Sequence, residues 1–347
     1  MSLSLLGPDP ANGGVGTYTE KLASKLEDSK PTFFEPGWNP VEYGRATVRA
    51  SCDHERAIHI QYTYELFGPL GCYTFVLLPV LWVATRVQRS TLAVTMHEVW
   101  DEEDTDGPVR TAYARLMHLW LAAFSDHLVF LSEGARTTFQ KQSVLGTGTV
   151  IPHGVPTDET VVVEDPRHYF EIPEDTFLIT QHGFVNQRKG FDRFLNIAVE
   201  LPEYEFLIAG RPRGERFHDY YDHLQAQAPE NVQFTGVLDE KEFHAAFQAS
   251  DLAVLPYNSI YQSGIFNWCA AYGVPTIASR IPYFEQLYAE YRAPELFDTV
   301  EEACSLVHEL QENDSDRREL SENLEGYARK NSFERVVERH YELYESL

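Results

Sequence analysis

Short apolar runs recur along the chain, and most are followed by a polar or glycine-rich segment and then by a helical pattern. The clearest example is DLAVLP at 251–256. It is followed by a polar loop, by a helix that begins at Ser263 and Gly264, and by a second apolar run, VPTIAS, at 274–279. Continuous apolar runs are typical of strands buried on both faces of a parallel sheet. Their alternation with helices predicts an α/β fold.

The start of the helix at Ser263 is a candidate anion-binding site. A helix N-terminus offers free backbone N–H groups together with the positive end of the helix dipole. Gly264 lacks the Cβ atom that would keep a phosphate at a distance. The alternative interpretation is that the Ser-Gly pair only caps the helix.

The apolar runs form two sets, separated by a polar, acidic segment without periodicity at 157–173 that we interpret as an interdomain linker. We predict two Rossmann-like domains, over 1–156 and 174–325, and a C-terminal helix over 326–347 that is able to pack back on the first domain. Further predicted strands lie at 2–6, 56–65, 90–98, 126–132 and 149–155, and at 176–182, 204–209 and 231–236.

Polar residues that follow these strands are candidate ligand contacts, because the carboxyl ends of parallel strands face the ligand crevice. His97 follows one strand and is suited to bond a sugar hydroxyl or a developing charge. Arg188 and Lys189 lie in a glycine-bounded loop, GFVNQRKG, where two adjacent cations could hold a diphosphate. Arg211 occupies the end of the next strand.

The glycine-rich loop at 7–16 offers a competing interpretation, a dinucleotide-binding dehydrogenase. Gly14 and Gly16 have the spacing of the first two glycines of that motif, and Glu35 lies where a ribose-binding acid would be expected. The third glycine position is Thr19, however, and the loop is longer than the tight turn the motif requires. The dehydrogenase interpretation is therefore disfavoured.

The charge balance limits the choice of partner. The chain of 347 residues has 53 acidic and 28 basic residues and a formal net charge of -25. This charge argues against nucleic acid as a partner, and the scarcity of lysine suggests adaptation to high salt. The four cysteines form no CxxC pair, which fits a reducing, cytoplasmic location and no structural zinc. We interpret the acidic run DEEDTDG at 101–107 as solvated surface rather than as a metal site.

The most apolar stretch, LGCYTFVLLPVLWVA at 70–84, is short for a membrane span and contains Pro79. It predicts a buried helix, with peripheral contact at the inner face of a membrane as the alternative. The N-terminus runs directly into the predicted first strand without the pattern of a signal peptide.

Taken in order, several segments resemble the family-4 retaining glycosyltransferases, which have the two-domain GT-B architecture with two Rossmann-like parallel sheets facing a central cleft. The similar segments are GGVGTYTEKLASKL, VTMHE, IPHGV, GFVNQRKGFDRFLNIA, VQFTGVLDEKEFHAAFQASDLAVLPY and QSGIFNWCAAYGVPTIAS. They spread over nearly the whole chain.

The resemblance implies that the first domain binds an acceptor and the second a nucleotide-sugar donor, without a metal. Gly14 would approach the donor phosphates, and His97 would contact the transferred sugar. Lys189 and the backbone at Ser263 and Gly264 would hold the diphosphate. The family commonly has an arginine at the position of Phe184, and Arg188 would take its place here. Arg211 lies near the expected binding site of the nucleotide base. Glu285 aligns with a family glutamate whose role here stays open.

This chain departs from the family at two positions. Many members carry two glutamates eight positions apart, which here are Ile260 and Trp268. The Gln-Ser-Gly sequence that lies between them looks like a variant subgroup. The expected activity is retaining transfer of a hexose from a nucleoside-diphosphate sugar to a hydroxyl of a glycan or lipid-linked acceptor. A non-catalytic homologue acting as a partner or scaffold and a same-fold sugar-nucleotide epimerase are the alternatives.

Overall fold

The computed structural model describes residues 3–52, 56–100, 107–143, 145–146, 148–212 and 214–347. The chain divides into two units. Unit 1 comprises residues 1–153 and 333–347, and unit 2 comprises residues 154–332. Each contains a six-stranded parallel sheet flanked by helices, so the predicted α/β fold with two Rossmann-like sheets is confirmed.

The sheet of unit 1 has the strand order β2-β1-β3-β4-β5-β6. Every residue of β1 and β3 is buried, as expected for central strands covered by helices on both faces. The strands are β1 (Leu3–Pro8), β2 (Ser29–Phe34), β3 (Ala57–Tyr62), β4 (Thr91–Met96), β5 (His127–Phe130) and β6 (Gly148–Val150).

The helices of unit 1 pack into two separate hydrophobic clusters. One contains Tyr18 and Leu22 of α1 with Phe333 and Val336 of the last helix. The other contains buried residues of the four intervening helices. The helices are α1 (Gly14–Lys25), α2 (Pro40–Cys52), α3 (Thr74–Gln88), α4 (Pro108–Ala123), α5 (Glu133–Gln142) and α13 (Phe333–Ser346).

The sheet of unit 2 has the order β12-β11-β10-β7-β8-β9. Its strands are β7 (Leu178–His182), β8 (Glu205–Ala209), β9 (Val232–Phe234), β10 (Leu252–Leu255), β11 (Thr276–Ser279) and β12 (Glu295–Phe297). Its helices are α6 (Phe191–Glu200), α7 (His218–Gln227), α8 (Glu240–Ala249), α9 (Gly264–Tyr272), α10 (Pro282–Tyr291), α11 (Val300–Glu312) and α12 (Asp314–Lys330).

Three sequence expectations differ from the structure. The amphipathic pattern TYTEKLASKL predicts a helix that begins at Thr17, but α1 begins at Gly14, where the N-cap is Gly13 and offers no side-chain signal. The single helix predicted over 326–347 is the end of α12 and a separate α13. The segment at 157–173 falls within unit 2, where Val163 and Phe170 are buried in a cluster with Leu178 of β7.

The apolar stretch at 70–84 is not the buried helix that we predicted. α3 begins at Thr74 and buries Leu78 and Leu81, but it exposes valines on its opposite side. The acidic run interpreted above as surface lies, at 101–106, outside the described residues. In the described part of the chain, no helix combines the length and the apolar character needed to cross a membrane.

Candidate functional site

The loop at 183–190 of unit 2, which we name the lysine loop, follows β7 and ends at Gly190. Gly190 has φ +63°, and a Cβ atom there would lie 1.9 Å from the carbonyl oxygen of Pro256. Only glycine allows so close an approach. Asn258 then fastens the loop to the segment after β10, since its backbone N–H donates to the carbonyl of Arg188 at 2.9 Å and its side-chain amide donates to Gln187 at 2.8 Å.

The Lys189 ammonium lies beside the first turn of α9. A Cβ atom built on Gly183 would lie 2.6 Å from Nζ of Lys189 and 3.0 Å from the side chain of Ile265. Nζ also lies 5.8 Å from the ring centroid of Tyr257, whose hydroxyl is 3.5 Å from Oγ of Ser263. The structure therefore brings together two motifs that are far apart in sequence.

Ser263 is buried and caps α9, because its Oγ accepts a hydrogen bond from the backbone N–H of Phe266 at 3.0 Å. The capping interpretation is thus correct for the hydroxyl, and anion binding at this helix would depend on backbone N–H groups of the first turn. Apart from the adjacent residues and the backbone of α9 itself, no described atom lies within 4 Å of the point where a side chain on Gly264 would begin. The start of the helix therefore has space for a ligand.

Burial lowers the pKa of Lys189 to about 8. The pKa of neighbouring His182 falls further, to about 3, through burial and through repulsion by Lys189. Near neutral pH, Lys189 is therefore mostly protonated and His182 is neutral. The charge of the ammonium lies in surroundings that solvate it poorly. A bound phosphate group would provide the missing counter-charge.

The other predicted donor contacts are more exposed. Arg188 contributes its backbone carbonyl to the loop contact above, and its side chain is exposed. The guanidinium of Arg211 is exposed and lies 5.9 Å from the ring centroid of Phe184. Glu285 is exposed in the first turn of α10, and within the described residues no hydrogen bond or ion pair joins it to Lys189.

In unit 1, His97 directly follows β4. Its Nε2 lies 2.9 Å from Oε1 of Gln61, and its backbone N–H donates to the carbonyl of Tyr62 at 3.0 Å. Burial lowers the pKa of His97 to about 3, and repulsion by His153 contributes to the shift. The imidazole is therefore neutral near pH 7, able to exchange hydrogen bonds but not to supply charge.

Two polar groups near His97 were not predicted from the sequence. The ring of Tyr18 lies 5.2 Å from that of His97 and 4.6 Å from that of His153, centroid to centroid. Within the described residues, neither the buried Tyr18 hydroxyl nor Nε2 of Gln61 has a hydrogen-bond partner. Buried polar groups are normally paired, so these two atoms are candidates for ligand contacts.

Gly14 is the exposed first residue of α1, and apart from the adjacent residues and the backbone of α1 itself no described atom lies within 4 Å of its Cβ position. Gly16 differs, because a Cβ atom there would lie 2.4 Å from the carbonyl oxygen of Asp9. Gly16 is therefore required for packing of the loop against α1, while Gly14 leaves open space at the helix N-terminus.

Residues 164–331 match the sequence model of the family described as glycosyl transferases group 1. The matched segment has 168 of the 347 residues, just under half of the chain. It contains the lysine loop and all of α9.

Two curated relatives align with parts of the chain. An alpha-galactosylglucosyldiacylglycerol synthase of Streptococcus pneumoniae is 26% identical over 198 residues, which cover 56% of this chain and 51% of the relative. An uncharacterized 41.2 kDa protein in the cps region of Klebsiella pneumoniae is 25% identical over 122 residues, covering 35% of this chain and 32% of the relative. The chain thus spans about half of the length of the streptococcal relative and about a third of the length of the Klebsiella relative.

Solved structures extend the likeness to the whole chain. Anabaena Alr3699/HepE in complex with UDP has a TM-score of 0.80 at 14% identity, and 100% of both chains is covered. A sucrose-phosphate synthase from Thermosynechococcus elongatus has a TM-score of 0.79 at 14% identity, covering 100% of this chain and 99% of that chain. At this identity the likeness shows a common fold.

In the matched segment, the two positions where the resemblance implies glutamates are occupied by residues with apolar contacts. Ile260 packs against the main hydrophobic cluster of unit 2. Trp268 packs edge-on against Phe243, with ring centroids 5.2 Å apart. It also lines an open cavity of about 470 Å³ with Asp158, Glu159, Thr160, Val161, Glu240, Phe243 and His244. This cavity could not be recognised from the sequence, because its walls come from separate segments.

Proposed function

We propose that the protein is a retaining glycosyltransferase that transfers a hexose from a nucleoside-diphosphate sugar to an acceptor hydroxyl in glycan or glycoconjugate synthesis. The match to glycosyl transferases group 1 supports the reaction class. The observation that carries the proposal is the position of the Lys189 ammonium beside the first turn of α9.

This arrangement fits the charge that develops during transfer. When the bond between the sugar C1 and the diphosphate oxygen breaks, negative charge grows on the diphosphate. Lys189 and the N-terminus of α9 are fixed sources of positive potential, and such preorganised groups stabilise a transition state more than a ground state. Because they provide the positive charge, the proposed reaction requires no metal ion.

The remaining steps need no nucleophilic side chain. In the proposed reaction the acceptor oxygen bonds to C1 on the face from which the diphosphate leaves, and the acceptor proton passes to a diphosphate oxygen. Neutral His97 would orient the sugar by hydrogen bonding, with Gln61 holding its ring. Gly14 would leave room for a phosphate at the start of α1.

Two relatives guide the choice of substrates. The streptococcal relative is named as a diacylglycerol glycolipid synthase, which supports a lipid-linked acceptor and work at the inner face of a membrane. The Anabaena protein has been solved with UDP and with UDP-glucose, which makes uridine nucleotides the first donors to test here.

Donor binding is tested by thermal unfolding in about 2 M KCl, where surface charge is screened, with UDP, GDP, ADP, dTDP and NADH in turn. A ligand that binds only the folded state adds about 2.7 kcal/mol at a hundred times its Kd. We expect stabilisation by one nucleoside diphosphate, lost in Lys189→Ala and kept in Lys241→Ala, which alters an exposed lysine of α8. Stabilisation by NADH alone would contradict the proposal.

Trp268 favours a second candidate, a non-catalytic homologue that supports a partner. The resemblance implies a glutamate at this position that bonds the ribose of the donor, and tryptophan cannot make that contact. Incubation of the purified chain with a sugar nucleotide and a glycolipid acceptor, followed by NMR, separates the candidates. Transfer with retained anomeric configuration supports the proposal. Binding without turnover supports the homologue, and conversion of the donor without acceptor would indicate an epimerase.

A further inference from the structure

The side of α3 that faces away from the sheet of unit 1 is an exposed stripe of valines. Val76, Val80, Val83 and Val87 are 66%, 49%, 54% and 80% exposed. Their spacing of three and four residues places them on one face of the helix. The opposite face is buried through Leu78 and Leu81. α3 is thus apolar on both faces, which a helix that only covers its own sheet does not require.

The neighbouring helix α2 widens this stripe. α2 and α3 lie side by side and run in the same direction, because Tyr43 contacts Tyr73 near their first turns and Gln88 donates a hydrogen bond to the carbonyl of Ser51 near their last. Exposed Val48 of α2 lies between these two contacts along its helix.

α4 flanks the stripe on its other side. Phe75 of α3 contacts Trp120, and Trp82 contacts Phe124 just after α4. α4 exposes Leu116. We name this surface the valine face and define it by Val48, Val76, Val80, Val83, Val87 and Leu116.

The three helices that carry the valine face have more arginines than acids, whereas the chain as a whole is acidic. Residues 66–97 and 107–125 contain no acidic residue, although the chain has 53. Across α2, α3 and α4 the only acid is Glu42, which pairs with Arg45. Beyond the helix ends, Asp53 directly follows α2 in sequence, and Asp126, which follows α4, pairs with Arg86. The arginines of these helices and their immediate ends are Arg45, Arg49, Arg86, Arg89, Arg110 and Arg115. The acidic run at 101–106 precedes α4 in sequence and lies outside the described residues.

We propose that the valine face docks on the surface of a lipid bilayer that contains anionic lipids. Exposed apolar patches of this kind mark interaction sites, and arginine bonds lipid phosphate groups while its aliphatic stem lies along apolar surface. An amphipathic surface rimmed by cations lies in the interface of a bilayer rather than across it.

The same charges disfavour a second copy of this chain as the occupant. A two-fold symmetric interface would bring the same patch of both copies together. Arginines of one copy would then approach arginines of the other, whereas an anionic bilayer complements them. The docking proposal does not depend on the proposed enzyme activity, because it concerns binding to lipid alone.

Sedimentation of the full chain with vesicles tests the proposal without nucleotide or acceptor. Vesicles of phosphatidylglycerol are compared with vesicles of phosphatidylcholine, at KCl concentrations at which circular dichroism shows a folded protein. We expect at least about tenfold stronger partition onto phosphatidylglycerol, decreasing as salt screens the arginines.

The variant Val83→Asp/Val87→Asp should lose about tenfold or more of this partition, because it places two carboxylates in the apolar face. Its matched control is Val162→Asp/Val199→Asp, which adds the same charge at exposed valines of unit 2 and should bind as the wild type does. Arg49→Gln/Arg89→Gln should weaken binding to phosphatidylglycerol and leave the circular dichroism spectrum unchanged.

Three outcomes would overturn the proposal. The wild type could fail to sediment with phosphatidylglycerol, or both double valine variants could bind equally well. Light scattering could also show a dimer that only Val83→Asp/Val87→Asp dissociates, which would assign the valine face to a second copy. Loss of glycosyl transfer in an assay with soluble acceptor would bear on the proposed function and not on the docking surface.

Discussion

A Cβ atom on Gly183 would lie 2.6 Å from Nζ of Lys189. The absence of a side chain at Gly183 thus leaves the space that the Lys189 ammonium occupies beside α9. Gly183→Ala should displace the ammonium and reduce the affinity for the nucleoside diphosphate by about tenfold or more, since charge stabilisation depends on exact placement. Isothermal titration of the variant gives this change directly.

The control for this variant is Gly214→Ala. Both glycines have positive φ, +98° for Gly183 and +85° for Gly214, so both substitutions carry backbone strain, of about 1–3 kcal/mol each. No described atom lies within 4 Å of the Cβ position of Gly214. Equal losses of affinity in the two variants would mean that strain, and not the position of Lys189, is responsible.

The second prediction concerns turnover. Lys189→Ala should lower kcat at least about 100-fold, because one preorganised cation at a developing anion contributes ~3 kcal/mol. Lys241→Ala should be unchanged. The measurement is initial rate at saturating donor. A Lys189→Ala enzyme with near wild-type kcat would remove Lys189 from the proposed mechanism, whatever its effect on binding.

The lowered pKa of Lys189 predicts a pH dependence of donor binding. In the proposed site the diphosphate binds the protonated amine of Lys189, which predominates in the free protein below its pKa of about 8. Affinity should therefore be nearly constant from about pH 7, above the second pKa of ~6 of a terminal phosphate, up to about pH 8, and fall by up to about tenfold per pH unit above that. In Lys189→Ala the affinity should be weak and without this slope. A wild-type affinity that stays flat through about pH 9 would show that Lys189 is not the titrating contact.

Strands and the boundaries of α9 were accessible from the sequence because their signals are local. Buried parallel strands are continuous apolar runs, and α9 is bounded by capping Ser263 and by Gly273 with φ +63°. The break between α12 and α13 was missed, since it contains neither glycine nor proline. An apolar run also does not reveal which of its residues are buried against the rest of the protein, so the exposure of the valines of α3 could not be predicted from the sequence.

The candidate site was only partly predictable for a different reason. Lys189 and Ser263 could each be recognised from the residues of their own loop. Their proximity, however, depends on the sheet order that places β7 next to β10. The pairing of Gln61 with His97 likewise depends on the neighbouring strands β3 and β4. Such contacts are properties of the topology and not of any segment.

Buried histidines predict loss of stability in acid. His340 is fully buried in unit 1, and burial lowers its pKa to about 4. Since its pKa is about 6.5 in the unfolded chain, the unfolded state gains a proton first as pH falls. The resulting destabilisation begins near pH 6.5, grows by about 1.4 kcal/mol per pH unit and levels off below pH 4.

His340→Leu should therefore flatten the fall in Tm between about pH 6.5 and pH 4. Burial also lowers the pKa of His118 to about 4. Part of the pH dependence of Tm should therefore persist in His340→Leu. Exposed His223 offers a control, and His223→Leu should retain the wild-type slope. An unchanged slope in His340→Leu would show that this imidazole does not govern acid stability.

The variant Tyr18→Phe distinguishes a structural role of the Tyr18 hydroxyl from a contact with the substrate. Within the described residues its buried hydroxyl has no partner, so Tyr18→Phe should raise the free energy of unfolding by up to about 1 kcal/mol. If the hydroxyl contacts the sugar beside His97, the same variant should lower kcat/KM by about tenfold, equal to the loss of one hydrogen bond of ~1.4 kcal/mol. Tyr62→Phe, which removes another buried hydroxyl of unit 1 beside Gly71, should leave kcat/KM unchanged. Greater stability with full activity in Tyr18→Phe would show that Tyr18 serves the core of unit 1 and not the substrate.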